Sequence, residues 1–131
     1  MTGADPLRIL ILEDMVADAE LMVEVLLRAG LACEHRRAST RPEFLQQLAQ
    51  FAPDVILADY SLPGFDALSA LDLARKLGPA IPFIVVTGRL DEQTALACVR
   101  AGADDFVLKD HLLRLPVAVK VAVECREARN R

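Results

Sequence analysis

Apolar residues along this chain fall into two alternating patterns. Short continuous runs are separated by longer stretches in which apolar residues recur every three or four positions. Residues 7–12 (LRILIL) form the first run and predict a strand, ended by Glu13-Asp14. Residues 15–29 carry Met15, Ala19, Met22, Val23, Leu26 and Leu27 near helical spacing, and Gly30 stands where a left-handed residue closes a helix. Residues 33–38 are a weaker, more polar run, and Arg36 and Arg37 mark it as a sheet edge. Thr40 and Glu43 have the spacing of a capping box and start a helix to about Phe51, with Phe44, Leu45 and Leu48 facing the core. Residues 55–58 (VILA) lie between Pro53-Asp54 and Pro63-Gly64, which predicts a strand buried on both faces. A helix over 66–77 closes at Gly78-Pro79, and a strand over 82–86 ends at Thr87-Gly88. A helix over 91–101 opens with acidic residues that suit its dipole and stops at Gly102. A strand over 105–108 ends at Lys109, and the last helix spans 116–129 with Pro116 near its first turn.

Strands and helices in strict alternation predict right-handed βαβ crossovers and a parallel sheet. The expected fold is α/β: a doubly wound five-stranded sheet of order 2-1-3-4-5, a flavodoxin-like three-layer sandwich. A length of 131 residues predicts a single domain over 1–131, with a core at about 7–127 and no output domain. With 53% hydrophobic residues the chain can fill a core, and the absence of Trp makes that core mainly aliphatic. A net charge of −4 and the lack of a basic stripe argue against nucleic-acid binding. Cys33, Cys98 and Cys125 are odd in number and far apart, as expected of buried, reduced thiols. No apolar run is long enough to span a bilayer, and residues 1–6 lack the features of a signal peptide, so the expected compartment is the cytoplasm.

In an open parallel sheet, ligands bind outside the carboxyl ends of the strands. Strand one ends in Glu13 and Asp14, strand three in Asp59, strand four in Thr87 and strand five in Lys109. The proposed order brings these side chains to one rim. Carboxylates that close repel one another, and a divalent cation relieves the conflict. Magnesium takes hard oxygen ligands and leaves positions open for a phosphoryl oxygen. Lys109 and Thr87 supply a positive charge and a hydrogen bond for the same group, and Asp59 is a candidate nucleophile. The set therefore points to phosphoryl transfer onto an aspartate. Each residue alone also has an ordinary explanation: Glu13-Asp14 as a helix start, Asp59 as a turn residue, Thr87 as a cap, Lys109 as a solvated cation. Asp104 and Asp105 precede a strand, at the opposite end of the sheet, and receive no role in the site.

The motifs Ile11-Leu12-Glu13-Asp14, Asp59-Tyr60-Ser61-Leu62-Pro63-Gly64, Val85-Val86-Thr87-Gly88 and the stretch GADDFVLK over 102–109 together resemble the receiver domain of two-component response regulators. The resemblance covers nearly the whole chain. It implies that Asp59 is the phospho-acceptor. Asp14 is then a direct Mg2+ ligand, Glu13 acts partly through water, and the Ser61 carbonyl is a further ligand. It also implies that Thr87 is the switch hydroxyl, Lys109 the family's lysine and Phe106 the rotating aromatic. Ser61 and Arg89 would position the water that hydrolyses the acyl phosphate. The implied partners are a sensor histidine kinase or a histidine phosphotransfer protein, and a downstream protein; no membrane is involved, and a homodimer through the last helix is a possible state. The family usually has Pro after the lysine, across a cis bond. Asp110 stands there instead, and a cis bond without Pro costs about 2.5–4 kcal/mol, so a trans bond is expected.

Three other readings make distinct demands. A receiver-like module that binds partners without phosphate would tolerate degraded acidic or lysine positions, and here they are intact. A flavin-binding flavodoxin-like domain needs a Ser/Thr/Gly-rich phosphate loop after strand one, where Glu13-Asp14 has the opposite charge. A phosphatase of the haloacid-dehalogenase type carries a second Asp two residues past its nucleophile, where Ser61 stands.

Overall fold

Every other residue of a strand faces the same side of its sheet, so an apolar run buried on both faces needs a helical layer above and below. The computed structural model, which describes residues 6–77, 80–88 and 91–129, has that arrangement. In chain order the elements are β1 (Leu7–Leu12), α1 (Val16–Arg28), β2 (Cys33–Ala38), α2 (Arg41–Phe51), β3 (Val55–Asp59) and α3 (Ala67–Lys76). They continue with β4 (Phe83–Thr87), α4 (Glu92–Ala101), β5 (Asp105–Leu108), a 3-10 turn (Lys109–Arg114) and α5 (Leu115–Arg129). All strand pairs are parallel and the sheet order is β2-β1-β3-β4-β5, as the alternation predicts.

The two faces of the sheet carry separate cores. Ile9, Ile11, Val55, Leu57, Ile84, Val86 and Val107 pack with Ala19, Met22, Val23 and Leu26 of α1 and with Leu115, Ala118, Val119 and Ala122 of α5. On the other face, Leu10, Leu12, Ile56, Ala58, Phe83 and Val85 meet Phe44 of α2, Ala70 and Leu71 of α3 and Cys98 of α4. All residues of β3 and β4 are buried, whereas β2 is largely exposed, as befits an edge.

The helix starts follow from their capping side chains. Thr40 Oγ1 accepts from Glu43 N at 3.3 Å, Asp66 Oδ1 from Ser69 N at 2.8 Å and Asp91 Oδ1 from Thr94 N at 2.7 Å. The returning arm of the expected capping box reaches one residue further back, where Ser39 N donates to Glu43 Oε1 at 2.9 Å. Gly30 and Gly102 hold the positive φ expected after α1 and α4. The expected stop at Gly78-Pro79, and Arg89, lie outside the described residues.

Several expectations are corrected. Of the three thiols expected to be buried, Cys98 is, Cys33 is half-buried and Cys125 is exposed. Met15 is not part of the core stripe: it is the extended N-cap of α1 and is 56% exposed. Leu27, on the margin of that stripe in the last turn, is also open to solvent. The segment after Lys109, to which the sequence pattern assigns no element, belongs to a 3-10 turn whose apolar Leu112 is buried, and α5 begins at Leu115, one residue earlier than expected. No peptide bond among the described residues is cis, so Lys109-Asp110 is trans. None of their helices is long and apolar enough to cross a membrane.

Asp104, which lies away from the carboxyl-end rim, is a structural strut. Its Oδ2 accepts from Phe83 N at 2.7 Å and from Arg75 Nη2 at 3.2 Å, while Arg75 Nη1 donates to the Ile81 carbonyl at 2.6 Å. Asp104→Ala leaves the Phe83 N–H without this acceptor and takes from Arg75 its carboxylate partner, while the bond of Arg75 to the Ile81 carbonyl remains. Urea titration is expected to show a loss of about 1–3 kcal/mol, and an unchanged midpoint would remove the strut's importance.

Candidate functional site

The strand register places the carboxyl ends side by side. Leu12 pairs with Ala58, Asp59 with Val86, and Thr87 with Leu108, so Glu13 and Asp59 emerge level, with Thr87 one residue and Lys109 two residues further along. Glu13 is fully buried, Asp59 is 8% exposed, Thr87 is buried and Asp14 is open to solvent. Glu13, Asp14 and Asp59 each offer a carboxylate oxygen, and the three oxygens lie within 4.8 Å of one another.

Lys109 closes this cluster. Its Nζ donates to Glu13 Oε1 at 2.8 Å, to Asp18 Oδ2 at 2.9 Å and to Asp59 Oδ2 at 3.4 Å. The backbone supports the acids as well: Met15 N donates to Glu13 Oε2 at 3.3 Å, and Ser61 N to Asp59 Oδ1 at 3.4 Å. From the edge strand, Arg37 Nη1 donates to the Glu13 carbonyl at 3.0 Å and fixes the end of β1.

Burial and charge shift the titration of two groups. Burial pushes the Glu13 carboxyl up to about 7, aided by the negative charge of Asp59 and opposed by the Lys109 hydrogen bond. Burial would lower the Lys109 ammonium, but its bonds to Glu13 and Asp18 and the charge of Asp59 outweigh this and raise it above the usual lysine value. Lys109 is therefore charged at neutral pH, while Glu13 is poised between its two forms.

Phe106 sits on β5, half-buried, and packs against the core shared with α2, α3 and α4. Its carbonyl accepts a hydrogen bond from Arg114 Nη2, and the same guanidinium pairs with Asp105 Oδ1 at 3.1 Å. The end of the 3-10 turn that Lys109 opens is thus tied back onto β5. Ser61 lies at the surface in the turn after β3, where Gly64 takes a φ of +75°.

Asp18 was not among the expected site residues. It lies in the first turn of α1, four positions past Asp14, which itself precedes the extended N-cap Met15. That i, i+4 relation was the available signal, although an acid in a first helical turn has an ordinary role beside the dipole.

The chain's residues 9–119 match the family model described as the response regulator receiver domain. The chain belongs to the response regulator receiver domain family. Its sequence is 34% identical over 111 residues to the transcriptional regulatory protein BaeR of Escherichia coli O6:H1, across 85% of this chain and 45% of that protein. It is 29% identical over 131 residues to the transcriptional regulatory protein PrrA of Mycobacterium leprae, across 97% of this chain and 54% of that protein. The receiver domain thus spans about half the length of these curated relatives. Among solved structures it resembles a CheY-like receiver domain protein of Methanospirillum hungatei, with a TM-score of 0.81, 27% identity, and 95% and 99% of the two chains covered. A putative response regulator of Chloroflexus aurantiacus also has a TM-score of 0.81, at 31% identity, with 92% and 99% covered. The receiver domain is a signalling unit of two-component systems, and its acidic cluster lies at the carboxyl ends of β1 and β3.

Proposed function

We propose that this receiver domain accepts a phosphoryl group on Asp59 from a phosphohistidine, carried by a sensor histidine kinase or a histidine phosphotransfer protein. The observation that carries the reading is the position of Asp59. It is nearly buried at the carboxyl end of β3, with a charged ammonium 3.4 Å away and two further acids converging on it. A carboxylate in that place is shielded from competing reactions yet faces the rim.

The donor set fits Mg2+: three hard carboxylate oxygens lie close enough to share one ion, and the family resemblance adds the carbonyl of Ser61, two residues past Asp59 in the sequence. Glu13, Asp14, Asp59 and Ser61 would hold it. When bound, the ion supplies charge neutralisation for the carboxylates and for the phosphoryl oxygens. Asp59 attacks phosphorus in line. An O–P bond forms to its carboxylate oxygen, the N–P bond to the donor imidazole breaks, and the electron pair stays on that nitrogen, which takes up a proton. Lys109 stabilises the charge on the transferring group. Thr87, at the end of the neighbouring strand, then donates to the phosphoryl group, and Phe106 repacks behind it. The new charge biases α4 and β5 between two arrangements, and a downstream protein reads the difference.

Radiolabelled acetyl phosphate supplies the test. With Mg2+, the protein is expected to take up label that hydroxylamine releases, as an acyl phosphate requires, and a chelator is expected to prevent uptake. Label that resists hydroxylamine, or no label under any condition, sinks the proposal.

A further inference from the structure

Lys109 has three N–H donors and gives them to three carboxylates, Glu13, Asp18 and Asp59. Two of these acids belong to the cluster whose oxygens can share a metal ion, and Asp18 does not. A divalent cation on that cluster competes with the ammonium for Glu13 and Asp59, because both cations draw on the same oxygens. Asp18 then remains as the one carboxylate anchor of Lys109. The 2.9 Å bond to Asp18 is as short as the bond to Glu13, to within 0.1 Å, and clearly shorter than the bond to Asp59. Asp18 also stands on a rigid element, the first turn of α1, and is only partly exposed.

We infer that Asp18 is a positioning residue for Lys109: it holds the ammonium at the rim and leaves the other two donors free for phosphoryl oxygens. The inference rests on Asp59 being the phosphoryl acceptor. Without this anchor the lysine side chain is a flexible four-carbon stem with several rotamers, and the transfer step must itself restrict them. Asp18 pre-organises the charge before the donor arrives. The carboxylate acts through Lys109 and makes no contact with the transferred group.

The test is a double-mutant cycle on the initial rate of labelling from acetyl phosphate at saturating Mg2+. Asp18→Asn is expected to lower the rate by about tenfold, the effect of weakening one charged hydrogen bond. Asp18→Glu, which keeps the charge, is expected to recover part of it. In a Lys109→Ala background, Asp18→Asn is expected to change the rate by less than about twofold, since the residue through which it acts is gone. A purely structural role at the start of α1 would lower both backgrounds equally. A second measurement does not depend on turnover. With Mg2+ and no phosphoryl donor, the 15N-labelled Lys109 ammonium is expected to exchange slowly in the wild type and rapidly in Asp18→Asn. A rate that is unchanged or raised in Asp18→Asn, an equal loss in both backgrounds, or an ammonium signal indifferent to the substitution overturns the inference. A wild-type protein that takes no label overturns the acceptor assignment instead, while the ammonium exchange still reports on the Asp18–Lys109 pair.

Discussion

Asp59→Asn is expected to bring label uptake from acetyl phosphate to background while the domain remains folded. Asparagine matches aspartate in size, so the packing at the end of β3 is kept, and the amide oxygen can still accept from Ser61 N. The reaction is lost because a neutral amide oxygen is a poor nucleophile and a poor metal ligand. Stability is expected to hold or rise, because the variant removes a negative charge beside buried Glu13, whose carboxyl that charge helps push up. The combination is diagnostic: no label, an unchanged circular dichroism spectrum and a melting temperature no lower than wild type. Undiminished labelling of the variant would assign the acceptor elsewhere.

Lys109→Ala is expected to destabilise the metal-free protein by about 3 kcal/mol at pH 8, and by much less at pH 6. The pH dependence follows from Glu13. Its folded pKa of about 7 lies above the unfolded value of 4.5, so between those values the folded state holds more protons than the unfolded one. Stability of the metal-free protein therefore falls as pH rises from about 4.5 through about 7, by an amount on the order of 1–3 kcal/mol. Lys109 contributes no slope in this window. Its folded pKa is raised, so its stabilising effect is complete below 10.5 and is lost only above that. Above pH 7 Glu13 is a buried anion whose nearest cation is Lys109, and removing that partner leaves the charge uncompensated. Below pH 6 the carboxyl is neutral and needs no counter-ion. Urea titrations at the two pH values measure the difference, and an equal loss at both removes Glu13 as the origin.

Strand order and most of the rim were readable from the chain because both follow from local pattern. The run at 55–58 cannot be amphipathic, so it had to be central, and the residues after each run had to appear at one end of a parallel sheet. The readings that failed lie where the pattern is silent. Asp18 carries no local signal beyond its spacing from Asp14; its partner is 91 positions away, and only the closed sheet brings them together. The 3-10 turn after Lys109 is too short for a periodic pattern, and it is held by Arg114 reaching back to Asp105 and by burial of Leu112. Met15 was misplaced because an apolar residue at a helix start satisfies the helical spacing even when its backbone is still extended. Asp104 was rightly left out of the rim, but its grip on the Phe83 N–H depends on a contact across 21 positions.

The clasp made by Arg114 couples two parts of the molecule mechanically. Because it holds both Asp105 and the Phe106 carbonyl, the end of the 3-10 turn is fastened to β5, with the site lysine between the two. Next to Arg114 in that turn is Leu113, 88% exposed and the most open large apolar side chain among the described residues. A solvent-sensitive dye at position 113 would sit beside this fastening, and a change in its emission with acetyl phosphate and Mg2+ is the expected sign that the turn shifts when the site is loaded.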